Sequence, residues 1–298
     1  MNLRLISLKF VCRLFATMPL RLALAVGRGL GTFAACVVRH RRRETVERIQ
    51  RCFPEKSRAQ CEAIYRGMFR NLGMNIVEML RLSVLGTDDL LPRVEFHGQE
   101  NLHEALRSDG WGSLALMAHI GNWEFCGAVA SLLEEEVSVV VKPMRDPALQ
   151  DYLEQTRQRM GPNMLPHHNS FRECLRRLKA GSHVAVILDQ NRGREQGVFV
   201  EFFGQPACTS PGLALLSAQS GSPVLPVFDL RGTDPTQHHL HLLPAIPACS
   251  GRKIEALTEA TQIYTLRIEE MIRKYPEQWI WLHRRWKTKP PAPEASEP

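Results

Sequence analysis

No pair of the eight cysteines has C-x-x-C spacing, and no compact Cys/His cluster occurs along the chain. That argues against a zinc ribbon or finger. The motif H-E-x-x-H is absent as well, so a zinc protease is not indicated. The first 38 residues hold no acid at all. There is no internal repeat, and the one low-complexity piece is the tail KPPAPEASEP, which reads as disordered over 290–298. Cys12, Cys36, Cys52, Cys61, Cys126, Cys174, Cys208 and Cys249 are scattered through apolar segments, as reduced thiols packed as small apolar side chains would be.

What is present fits a globular protein. The 298 residues are 44% hydrophobic and 23% charged, enough for one large or two small domains. The formal net charge of +7 favours an acidic partner: nucleic acid, an anionic membrane or an acidic protein. Its placement chooses among them. Residues 1–38 run apolar, interrupted by Lys9, Arg13, Arg21 and Arg28, which fall in one wedge of a helix turning about 100° per residue. The block RHRRRE follows at 39–44. An apolar stretch ending in a basic cluster reads as a cytoplasmic contact with anionic headgroups. No recognition motif or interleaved aromatic platform supports nucleic acid as the partner. Pro19 breaks the helix. Residues 1–43 are therefore expected to form a membrane anchor or interfacial helix. The rivals are a signal peptide ending near FAAC and an amphipathic helix docked on the protein's own core.

The spacing Ser57 to Gln60 is a capping box and opens a long helix. After Gly86 short apolar runs alternate with amphipathic ones. Strands are expected at 93–97, 113–118, 137–141, 183–188 and 224–228, with an edge strand at 238–243. Helices are expected at 122–133, 147–160, 170–180, 210–220 and 255–274. That alternation implies an α/β fold, a mostly parallel or mixed central sheet flanked by helices, over residues 44–289.

The run SLALMAH ends at His119 and is followed by Gly-Asn and a helix start. This places the imidazole at the carboxyl edge of the sheet, where ligands gather in open α/β folds. Glu124, five positions on, falls in the first helical turn and can reach back to the ring. A carboxylate on one ring nitrogen fixes the tautomer, and the other nitrogen can then take a proton from an alcohol. Amides at the helix start could serve a developing oxyanion. No covalent enzyme nucleophile is needed. Histidine and glutamate at this spacing also meet by chance as a structural contact.

The longer pattern is more specific. HIGNWE (119–124) resembles the signature of the bacterial lipid A biosynthesis acyltransferases, the lauroyl and myristoyl transferases of the lysophospholipid acyltransferase superfamily. VVVKPMRDPALQDYLEQTRQRMG (139–161), AVILDQN (185–191), GVFVEFFGQPACTSPGLALLSAQSGSPVLPVF (197–228) and WIWLHRRWKTKP (279–290) resemble further blocks of that family, in order. Asn191 stands where many members carry a second acid, and Lys142-Pro143 where some carry Arg-Pro. No FPEG-like block of the glycerolipid branch is present.

The resemblance implies acyl transfer from an acyl carrier protein thioester to a hydroxyl of a membrane lipid, on the cytoplasmic face of the bacterial inner membrane. It implies His119 as general base with Glu124 as its partner, and Lys142, Arg157, Asp189 and Gln190 as substrate-binding residues. It implies no metal and no organic cofactor. Arg157 could also lie on a solvated helix face, and Asp189 could cap a turn. Phe202-Phe203 reads as core or as an acyl-facing loop, and Trp279, Trp281 and Trp286 as an interfacial belt or as core. Another lipid acceptor, an acyl-thioester hydrolase and a non-catalytic membrane-binding protein remain as alternatives.

Overall fold

A computed structural model of the chain describes all residues except 1–2, 38–40, 88–89, 107–110, 133–135, 142–145, 160, 167–169 and 292–298. Four helices come first: α1 Leu3–Thr17, α2 Leu20–Val37, α3 Arg42–Cys52 and α4 Arg58–Leu85. Pro19 separates α1 from α2, as its missing N–H requires. The α4 helix opens on the expected box, the Ser57 amide donating to Gln60 Oε1 at 2.7 Å and the Gln60 amide to Ser57 Oγ at 3.3 Å. One face of α2 lies directly against α4. A Cβ added at Gly31 would stand 2.1 Å from the Phe69 carbonyl oxygen, so only glycine permits that approach. The other face, with Leu22, Leu30, Phe33 and Val37, is exposed, as are Ile6, Phe10 and Leu14 of α1. The docked-helix reading thus holds for one face of α2 and leaves an apolar surface beside it.

Among the described residues the central sheet has seven strands: β1 Val94–His97, β2 Leu114–Met117, β3 Val137–Val141, β4 Asn163–Pro166, β5 His183–Ile187, β8 Val224–Arg231 and β9 His238–Leu242. Their order is β1-β9-β8-β2-β5-β3-β4. Every neighbouring pair is parallel except β8 with β9. The helices α5 Gln99–Leu106, α6 Trp123–Leu132, α7 Pro147–Arg159, α8 Phe171–Lys179, α9 Gly212–Ser220 and α10 Ile254–Lys274 complete a mixed α/β fold of the class expected. β6 Val198–Phe202 and β7 Gln205–Thr209 form a separate hairpin.

Three local expectations change. The strand at 238–243 is not at the edge, because β1 pairs along its outer side. β4, α5 and the hairpin were not expected: NMLP is too short and mixed to read as a strand, and the hairpin hides a Phe-Gly turn. Phe203 and Gly204 both have positive φ, 52° and 66°, the pattern of a turn that matches strand twist. Phe202 and Phe203 are core residues, packed on Trp286 and Phe53. Trp279, Trp281 and Trp286 are also buried, which excludes the belt.

Candidate active site

The sheet itself builds the site. β2 and β5 are neighbours with Met117 opposite Ile187, and the Leu188 amide donates to the Met117 carbonyl at 3.0 Å. Two residues past that register pair, His119 and Asp189 leave adjacent strands side by side. His119 Nδ1 lies 2.7 Å from Asp189 Oδ1. Asp189 Oδ2 accepts the His119 backbone amide at 2.9 Å and Trp279 Nε1 at 2.7 Å. Three donors on one fully buried carboxylate keep it ionised and put the imidazole proton on Nδ1. Burial alone would push the Asp189 carboxyl up, but the imidazoles of His119 and His283 and these bonds hold it well below the usual range. Burial likewise works against a charge on His119, and the Asp189 and Glu124 carboxylates outweigh it, leaving the imidazole above its ordinary value.

In the neutral ring the proton sits on Nδ1, and Nε2 is the acceptor. It opens on a cleft of ≈ 280 Å³ lined by Met117, Trp123, Glu124, Val139, Arg157 and Gln190, among others. Gln190 Nε2 approaches it at 3.4 Å. The Trp123 ring stands edge-on to the imidazole, and the His283 ring lies 4.8 Å away.

Glu124 sits in the first turn of α6 as expected, but its hydrogen-bond partner is different. Its oxygens accept Nε and Nη2 of Arg157 at 3.0 and 2.6 Å, a bidentate pair joining α6 to α7. The structure thus gives two residues other contacts than expected. Asp189, expected to bind substrate, is closed off from solvent beneath the imidazole and holds it. Glu124, expected on the imidazole, holds Arg157 at the cleft wall and acts on His119 through its charge. The reason is strand order: the end of β5 lies directly beside the end of β2, whereas Glu124 follows the turn onto α6. Gln190 is at the cleft. Lys142 lies outside the described residues.

The turn between His119 and α6 is made by glycine and asparagine for reasons of space and capping. Gly121 has φ 57°, and a Cβ there would stand 1.6 Å from the Asp229 carbonyl oxygen on β8. Asn122 caps α6, its Oδ1 accepting the Phe125 amide at 3.3 Å. Its Nδ2 donates at 2.9 Å to Glu78, a fully buried carboxylate in the C-terminal third of α4. Glu78 also receives Arg93, Arg231 and His238. Asn75 adds a bond to the Gly121 carbonyl at 2.5 Å. The C-terminal segment closes the back of the site: the Ile280 amide donates to the His119 carbonyl at 3.1 Å. Glu78, Asn122, Trp279 and His283 were missed in the sequence. A lone acid on the apolar face of NIVEML was the available signal for Glu78.

A basic imidazole at a cleft mouth, beside a capped helix start, suits proton transfer from a hydroxyl. Comparison with known proteins identifies the family. The profile of the bacterial lipid A biosynthesis acyltransferases matches residues 6–288. The lipid A biosynthesis lauroyltransferase of Escherichia coli (strain K12) is 28% identical over 280 residues, covering 93% of this chain and 89% of its own. The palmitoleoyltransferase of the same organism is 27% identical over 279 residues, with the same coverage. A lipid A biosynthesis acyltransferase of Haemophilus influenzae is 24% identical over 273 residues, 92% of this chain and 84% of its own. Among solved structures, the 1-acyl-sn-glycerophosphate (LPA) acyltransferase PlsC of Thermotoga maritima is similar at a TM-score of 0.37 and 14% identity, covering 91% of this chain and 97% of that one. A profile match along nearly the whole length decides the matter: the chain belongs to the bacterial lipid A biosynthesis acyltransferase family and is an acyltransferase.

Proposed function

We propose that the protein moves a fatty acyl chain from an acyl carrier protein thioester to a hydroxyl of a lipid A precursor, at the cytoplasmic face of the bacterial inner membrane. The observation that carries this is the His119 Nε2, open on the cleft while Nδ1 is held by Asp189. In the reaction Nε2 takes the hydroxyl proton as the oxygen attacks the thioester carbonyl. The C–O bond forms and the C–S bond breaks. The proton then passes from Nε2 to the departing thiolate. Buried Asp189 stabilises the imidazolium in between. Amides in the first turn of α6 receive the developing oxyanion.

Glu124 supports the imidazolium through its charge and keeps Arg157 at the cleft wall. Arg157, with Lys142 and Gln190, binds the substrates. A lipid bearing phosphates and an acidic carrier protein both suit cationic side chains and the net charge of +7. Residues 1–43 seat the enzyme on the membrane and residues 44–289 carry the reaction; the expected tail lies, from 292 on, outside the described residues. The acid-free N-terminus and the exposed apolar faces of α1 and α2 support that seat. α2 has the length and apolar character of a membrane span.

The test is mass spectrometry of lipid products. Purified protein is incubated with acyl carrier protein thioesters and a panel of acceptors: a tetra-acylated lipid A precursor bearing Kdo, lysophospholipids and lyso-ornithine lipid. A gain of one acyl chain on the lipid A precursor, absent with His119→Ala, is the expected result. A gain on another lipid alone would move the acceptor assignment. Free fatty acid alone would make the protein a hydrolase, and no turnover a binding protein.

A further inference from the structure

Away from the cleft, at the other end of the sheet order, β1 and β9 run parallel with Glu95 opposite His239 and His97 opposite His241. Residues two apart share a sheet face, so all four side chains stand together. Polar atoms of three of these residues converge, one from each lying within 4.8 Å of the others. His97 Nε2 is 3.0 Å from His239 Nδ1, Glu95 Oε1 is 3.5 Å from His97 Nε2, and Glu95 Oε2 is 3.4 Å from His239 Nδ1.

We propose that Glu95, His97 and His239 bind a single Zn²⁺ ion that ties the edge strand β1 to β9. Two imidazole nitrogens and a carboxylate form a donor set that zinc takes, with bonds of about 2.0–2.1 Å. In a tetrahedral site such bonds put neighbouring ligand atoms about 3.3–3.4 Å apart; in an octahedral one, about 3.0 Å. The two imidazole nitrogens stand 3.0 Å apart and each faces a different oxygen of the exposed Glu95 carboxylate at 3.5 or 3.4 Å, so one oxygen can complete the set with a small turn of that side chain. Without an ion, the histidine pair can share only one N–H between two ring nitrogens, and the carboxylate stands beyond good bonding distance of both.

The fourth position has room. His97 and His239 line a cavity of ≈ 600 Å³, so a water molecule can complete the tetrahedron. His241 is not the fourth ligand. Its ring stacks on that of His97 at 4.7 Å and 13°, which leaves it beside the ligand ring as a support that fixes its plane. β1 is an edge strand of four residues with a single strand neighbour, and an ion held from both strands supplies a cross-link that its few ladder bonds do not. β1 is separated from β2 by β9 and β8, so this site stands apart from His119, and the proposal does not depend on the proposed reaction.

The test uses the full chain in detergent, affinity tag removed and metal stripped with chelator, titrated with Zn²⁺ against a chromogenic competitor. One Zn²⁺ per chain at a Kd of about 1 µM or tighter is expected. Glu95→Gln should weaken binding at least about 10-fold, and His97→Ala or His239→Ala at least about 100-fold. Co²⁺ added to the stripped wild type should give the visible absorption of a four-coordinate site. Zn²⁺ should raise Tm by a few degrees in the wild type and leave that of Glu95→Gln unmoved. Glu95 is exposed, so this variant reports on the site even if a histidine variant fails to fold. Binding weaker than that limit, or affinity unchanged in Glu95→Gln, would overturn the proposal.

Discussion

Two histidines in this molecule carry a carboxylate on Nδ1 at the same distance, 2.7 Å: His119 with Asp189, and His238 with Asp229. What they do with the other nitrogen separates them. His119 presents Nε2 to the cleft. His238 is fully buried, stacked on Phe125 at 4.0 Å, and its Nε2 meets Glu78 at 3.0 Å. Burial disfavours charge on both, and carboxylates outweigh it in both. For His238, Asp229 and Glu78 together raise the pKa to about 9. The first imidazole can exchange a proton with a ligand. The second is a charged strut that joins α4 to β8 and β9. A His–carboxylate pair is therefore not a site in itself; an open second nitrogen makes it one.

The contrast predicts a clean split in mutants. His119→Ala should cut kcat by about 10³–10⁴-fold, within the range for loss of a general base, while Tm stays close to wild type. Glu78→Gln should do the reverse. It leaves Arg231 buried without its carboxylate and His238 with Asp229 alone, a loss of about 3–5 kcal/mol read by denaturant unfolding. Arg157→Gln breaks the bidentate pair at the cleft wall and should lower kcat/KM by about 10-fold. The smallest effect is a pH effect on stability. The folded-state pKa of His238 lies above the unfolded value of about 6.5, so its contribution is full below that pH and fades as pH rises through about 9. Tm measured from pH 6 to 10 should fall across that window, and His238→Asn should flatten the fall.

His119 was legible in the sequence because an apolar strand, a Gly-Asn turn and a helix start are all local patterns. The mixed sheet was legible for the same reason. The partner of His119 was not. Choosing Asp189 over Glu124 requires knowing that β2 and β5 are neighbours, and strand order is a long-range property no local pattern carries. Glu124 is nearer in sequence, and nearness in sequence was the signal available. The misplaced edge at 238–243 has the same origin: that β1 pairs along its outer side is a long-range contact no local pattern carries. Glu78 sits inside a helix whose pattern is otherwise ordinary, and its charge partners come from β8, β9 and the segment before β1.

The central claim is that His119, poised by Asp189, takes the hydroxyl proton. The most direct test is the pH dependence of kcat/KM for acyl transfer in the wild type and in Asp189→Asn. The account predicts a rising limb in the wild type with a midpoint above about 6.5, since the carboxylates raise the imidazole. Asp189→Asn removes the nearest charge and should move that midpoint to lower pH while cutting the plateau by up to about 10⁴-fold. An unmoved midpoint would contradict the account, because the ionisation that controls the rate would then belong to another group.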